Sequence, residues 1–163
     1  MRIGARGDFL LVRFDARHRG IVATLRETNA ALWKEDVVEV FLALEEPPLR
    51  YFELEVNPLG GRFSARVESP KGRREGMRVE TFSCPEFSAD ARVRETAWSA
   101  LLRIPIGELR GGSMPGAFRA NCFRIDRTAA EFSALAPTGE DPADFHVVAA
   151  FARFRIAPGT GLE

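Results

Sequence analysis

The chain has 163 residues, 45% hydrophobic and 28% charged, with 23 basic against 23 acidic side chains and a formal net charge of zero. That length suits one domain, 1–163, burying about 70% of its unfolded surface, and the balanced charge excludes an overall field that draws nucleic acid or an anionic membrane. No run approaches the ~20 apolar residues of a membrane-spanning helix, and no secretory leader is read at the start, so the compartment stays open.

In chain order, period-two alternation predicts nine short strands, at 9–14, 20–26, 36–44, 50–57, 62–69, 76–81, 97–104, 116–126 and 150–156. Short helical turns are read at 27–32 and after Pro105, through Glu108 and Leu109. Pro85, Pro115, Pro137, Pro142 and Pro158 all fall between strands, where a missing amide does no harm to a ladder. Nine strands at near-regular spacing predict an all-β fold, an antiparallel β-sandwich of jelly-roll or immunoglobulin-like type.

Within the third strand, Glu39 sits in an apolar row, where an unpaired carboxylate costs several kcal/mol. In the fourth, Phe52, Leu54 and Val56 alternate with Tyr51, Glu53, Glu55 and Asn57, which predicts one core face and one wet face. Asn57-Pro58 and Gly60-Gly61 then form a turn, and Arg62 and Arg66 on the next strand are expected to pair with Glu53 and Glu55. Lys71, Arg73 and Arg74 read as a solvated loop. Cys84 and Cys122 lack metal-site spacing and make no disulfide framework; free thiols are expected, with one bridge left open. On the 116–126 strand, Arg124 could clamp Glu39 in a structural ion pair that resolves the buried charge.

The longest irregular stretch, 127–144, is the candidate functional loop and leads to His146. Glu140, Asp141 and Asp144 within it could supply oxygen ligands to a structural calcium ion; no other cofactor is read, and no catalytic motif assigns a catalytic residue or a metal ligand.

Several of these segments together carry a family likeness. Trp33, Asp36, Glu39, Val40 and Phe41, followed by the run from Tyr51 to Pro58, resemble the paired strand motifs of the family 9 carbohydrate-binding modules. The segments WSALLRIPI at 98–106 and FRANCFRID at 118–126 are similar to two later strands of that family. Asp144, Phe145 and His146 with FARFRI at 151–156 resemble its closing pattern, so the likeness spans roughly 29–156. It implies a non-catalytic β-sandwich that binds a saccharide between aromatic side chains, usually attached to glycan-degrading enzymes. By the same resemblance Trp33 is a stacking platform, and Glu39, Glu55 and Asn57 are ligand-binding polar residues, with Glu55 standing where sugar-binding members can carry an arginine. Leu135 occupies the place of the family's second stacking tryptophan, and Trp98 is expected in the core. Relatives often carry an opening strand, and none is read before Phe9. Two other functions stay open: a sandwich that has lost sugar binding and serves as an interaction or scaffold domain, and a small glycoside hydrolase using Glu53 and Glu55. No partner protein is indicated.

Overall fold

The computed structural model describes residues 1–157; Pro158 and the rest of the 1–163 span lie outside them. Two antiparallel sheets face one another. The smaller has the order β1 (Arg2–Arg6), β2 (Phe9–Arg17), β8 (Ala97–Pro105), β7 (Ser88–Val93). The larger runs β10 (Glu131–Ala134), β9 (Ala117–Asp126), β3 (Val37–Ala43), β4 (Arg50–Val56), β5 (Arg62–Glu68), β6 (Arg78–Thr81). A further strand, β11 (Ala152–Arg155), pairs with β9 at Ala117–Ala120, beside the stretch that β10 occupies. The all-β antiparallel sandwich anticipated from the alternation is the fold observed. The only α-helix among the described residues, α1 (Ile106–Arg110), follows Pro105 as anticipated and ends where Gly111 takes a left-handed φ of 74°. It is far too short to cross a membrane.

One core fills the space between the sheets. Leu10, Val12 and Phe14 of β2 and Leu102 and Ile104 of β8 meet Val38, Val40, Leu42, Leu54 and Val56 of the larger sheet. Trp98 is buried there at 2% exposure, as anticipated. A second cluster lies on the opposite face of the larger sheet: Val37, Phe41, Tyr51, Phe63 and Phe123 are covered by Leu32 and by Phe145, Val148 and Phe151. All seven residues of β3 are therefore buried, which explains why both of its rows read as apolar.

This second cover overturns the wet face expected for β4. Tyr51, Glu53 and Glu55 lie on that outward row and all are buried, because the turn Leu32–Lys34 and the segment 145–151 close over them. Asn121 helps to hold this cover: its amide donates to the carbonyls of Ala136 and Ala150 and accepts from the Ala136 amide.

Segment 20–26 forms no strand. Carboxylates take the place of a neighbouring strand there, since Val22 donates its amide to Asp36 and Thr24 and Leu25 donate theirs to Glu35. Conversely, β1, β7 and β10 form on short alternating rows of mostly small side chains, Ile3 and Ala5, then Ala89, Ala91 and Val93, then Phe132 and Ala134, that did not register as strands in the sequence. Their side chains are exposed or half-buried, and the hydrogen-bond ladder to one neighbour holds them. A strand, β1, thus precedes Phe9, where none was read from the sequence. Both cysteines are free, and burial pushes each thiol up to about 12.

Candidate functional site

Register places the floor of the site. On the outward row of the larger sheet, Glu39 lies directly opposite Glu55, and Phe41 opposite Glu53. Like charges in such positions destabilise an antiparallel pair. The three carboxylates bring oxygens within 4.8 Å of one another, at 2%, 7% and 0% exposure for Glu39, Glu53 and Glu55. Neither oxygen of Glu55 nor Oε1 of Glu39 makes a hydrogen bond of good geometry, although the Trp33 backbone amide lies close enough to favour the Glu55 anion in part. Burial and then the Glu53 charge hold Glu39 well above the usual carboxylate range. Burial raises Glu53 to about 6, and burial followed by the neighbouring Glu39 and Glu53 charges raises Glu55.

Above this floor a cleft of ≈ 410 Å³ opens, within the range of small-ligand sites. Its rim holds three of the seven large apolar side chains that are exposed among the described residues: Trp33, Val79 and Phe132. Trp33, from the turn Leu32–Lys34, stands edge-on to Phe63 with ring centroids 5.1 Å apart. Phe132 leans edge-on against Phe145, which stacks on Phe123 at 4.1 Å. The Arg127 guanidinium lies 5.4 Å from the Phe132 centroid and donates to the Trp33 carbonyl, so one arginine ties the two aromatic walls together. Arg74 reaches the cleft while bound at 2.8 Å to Asp144, whose Oδ1 also accepts the His146 amide. Nδ1 of His146 shares a 2.7 Å hydrogen bond with the Tyr51 hydroxyl, and burial lowers the imidazole to about 4, leaving it neutral near pH 7. The arrangement is two exposed rings over fixed polar groups.

Of the residues singled out from the sequence, Trp33 and Glu39 line the cleft, whereas Glu55 is sealed beneath it. Asn57 is committed to the β4–β5 turn. Its amide donates to the Leu25 carbonyl at 2.7 Å, and its oxygen accepts from Leu59 and Gly61. Gly61 is required there, because a Cβ would meet the Leu25 oxygen at 2.9 Å. Asn57→Ala leaves those groups unpaired and is expected to cost about 1–3 kcal/mol in chemical denaturation.

The Glu39–Arg124 pair does not form. Arg124 lies opposite Val38, on the pleat facing the smaller sheet, while Glu39 lies opposite Phe123 on the other pleat. Arg124 instead pairs with Asp126 and donates to the Arg17 carbonyl. Pleat parity also separates Glu53 and Glu55 from Arg62 and Arg66: the glutamates oppose Ala65 and Phe63, and Arg66 packs 4.1 Å from the Phe82 centroid. Glu140 and Asp144, considered for calcium, are engaged by Arg73 and Arg74. Leu135 lines a different cleft with Met114, Phe118 and Phe154. The second ring of the site is Phe132, three positions earlier, and the available signal was a lone aromatic inside the stretch read as the functional loop.

No protein-family model matches the chain, and no curated protein matches it in sequence. Among solved structures it is similar to a protein from Bacteroides uniformis proposed to bind carbohydrate, with a TM-score of 0.82 at 20% identity over 96% of this chain and 77% of that one. It is also similar to a family 9 carbohydrate-binding module from Caldicellulosiruptor kristjanssonii solved in complex with glucose, with a TM-score of 0.64 at 10% identity over 95% of this chain and 75% of that one. At these identities the likeness shows the fold, and it is the fold that the strand motifs anticipated.

Proposed function

We propose that the chain is a non-catalytic carbohydrate-binding module that holds a neutral pyranose sugar in the cleft between Trp33 and Phe132. The carrying observation is the pair of rings, 40% and 46% exposed, on opposite elements at the rim of one cleft with charged groups beneath. Aromatic faces take the C–H surfaces of a pyranose while polar groups bind its rim hydroxyls, and Glu39, Glu53, Arg74 and Arg127 supply acceptors and donors at that depth. The fold shared with a module that holds glucose supports the same reading. Attachment to glycan-degrading enzymes is the setting that such a module fits.

Raised carboxylates in a cleft also favour a hydrolase as the second reading. That chemistry needs two carboxyl groups flanking the scissile bond, and here Glu39 and Glu53 both rise from adjacent strands of a single floor. Binding without cleavage is the better fit.

Tryptophan fluorescence titrated with gluco-, xylo- and manno-oligosaccharides tests the proposal. A saturable change with one series is expected, with Trp33→Ala weakening binding by about 2 kcal/mol or more, roughly thirtyfold, and Phe132→Ala by about tenfold. A flat response across the panel supports the scaffold alternative, and release of reducing sugar supports the hydrolase.

A further inference from the structure

Five carboxylate side chains are buried among the described residues, and two of them are fully explained. Asp36 accepts the amides of Val22 and Arg127, and Asp126 accepts the amide of Ala129 and the guanidinium of Arg124. The other three are Glu39, Glu53 and Glu55. Glu55 is wholly buried and neither of its oxygens makes a well-formed hydrogen bond, the Trp33 amide acting on it only in part, and Glu39 lacks a partner on Oε1. Native proteins rarely leave such groups unsatisfied, and a buried anion without a cation is the costliest case.

We propose that Glu39, Glu53 and Glu55 bind a hard divalent cation of calcium's class at the floor of the cleft. Calcium takes oxygens at about 2.3–2.6 Å, so two ligands of one ion lie at most about 5 Å apart. One oxygen from each of the three carboxylates meets that limit, these oxygens lying within 4.8 Å of one another. The donor set is oxygen only, as a hard cation requires. The nearby arginines offset this charge only from a distance: Arg74 and Arg127 favour the Glu39 anion and Arg74 the Glu53 anion, but Arg74 is bound to Asp144 and Arg127 to the Trp33 carbonyl. Two of the ligands sit on β3 and β4 directly opposite each other, so the ladder between them sets their spacing in advance. Glu39 and Glu53 line the cleft, which leaves one side of the ion open to it. Water completes the shell there, or sugar hydroxyls once a ligand enters; this last coupling rests on the carbohydrate reading, and the cation site itself does not.

The test uses the full chain stripped with EDTA, at about pH 7.5 and without sugar. Calcium chloride is titrated by calorimetry with magnesium chloride as comparison, and terbium emission sensitised through Trp33 provides a second readout. Saturable uptake of one calcium per chain is expected, with calcium displacing terbium. Glu55→Gln and, separately, Glu39→Gln are expected to weaken uptake by about tenfold or more, because affinity follows the charge count of the ligands; circular dichroism confirms that each variant is folded. No saturable uptake at millimolar calcium, or uptake that both variants retain, overturns the proposal. Since no sugar is present, that failure is separate from failure of the carbohydrate reading.

Discussion

In EDTA at about pH 7.5, Glu55→Gln makes the protein more stable, and the gain disappears near pH 4. Glu55 is fully buried, lies opposite Glu39, and makes no well-formed hydrogen bond. Its folded-state affinity for a proton is raised above the ordinary 4.5, first by burial and then by Glu39 and Glu53. The sign follows from proton linkage. Below 4.5 both folded and unfolded chains hold the proton, and nothing is lost. As pH rises the unfolded chain releases it first, so folding is opposed by about 1.4 kcal/mol per pH unit until the folded carboxyl also ionises. Glutamine keeps the shape and removes the titration, at the smaller cost of a buried amide. Urea denaturation at about pH 5 and about pH 8 measures the effect. The gap between variant and wild type should widen with pH; a constant gap, or a variant less stable at both values, would show that Glu55 has a donor or a cation even in EDTA. Saturating calcium should reverse the order.

Phe41→Ala should cost about 3–5 kcal/mol, close to the limit of what one substitution does. Phe41 is 1% exposed at the centre of the outward row of β3. Its ring stacks on Tyr51 at 5.5 Å and meets Phe123 at 4.9 Å, His146 at 4.9 Å and Phe151 at 6.3 Å. Those neighbours come from β4, β9 and the covering segment, so truncation leaves a cavity that no single element can fill by shifting. The same substitution loosens the base under Glu53, its cross-strand neighbour, and should weaken ligand binding together with stability. Denaturant midpoints measure the first effect. A loss below about 1 kcal/mol would mean that the outer cover is not packed as described.

Much of this architecture is legible in the sequence, and what is not has definite physical causes. Strands β3, β4, β5, β8 and β9 announce themselves by period-two alternation. Rows such as Phe52, Leu54 and Val56 do face the core between the sheets, or lie against it. The outer face is different. Glu53 and Glu55 read as a wet row because alternation records polarity and not cover, and the cover is an irregular segment without periodicity. The apolar row of β3 beside them, Val37 and Phe41, was the sign that this face is also buried. Pairing Glu39 with Arg124 failed on parity: adjacent strands fix which pleat each residue shares, and that depends on a register that sequence alone does not reveal. Trp33 was legible as a candidate for the cleft because a lone tryptophan ahead of a strand is conspicuous. Phe132 was not, since its place opposite Ile125 depends on the short edge strand β10.

The central claim is that a sugar lies against Trp33, and the chain carries a built-in control for it. Trp33 and Trp98 are the only two indoles, one 40% exposed at the cleft and the other 2% exposed between the sheets. A nitrogen–proton correlation spectrum titrated with glucose and gluco-oligosaccharides therefore reports the site through two resolved indole signals. With sugar bound at the cleft, the Trp33 signal is expected to move progressively and saturably while the Trp98 signal stays fixed. Both signals fixed across the full panel of gluco-, xylo- and manno-oligosaccharides, or movement of Trp98 alone, would contradict it.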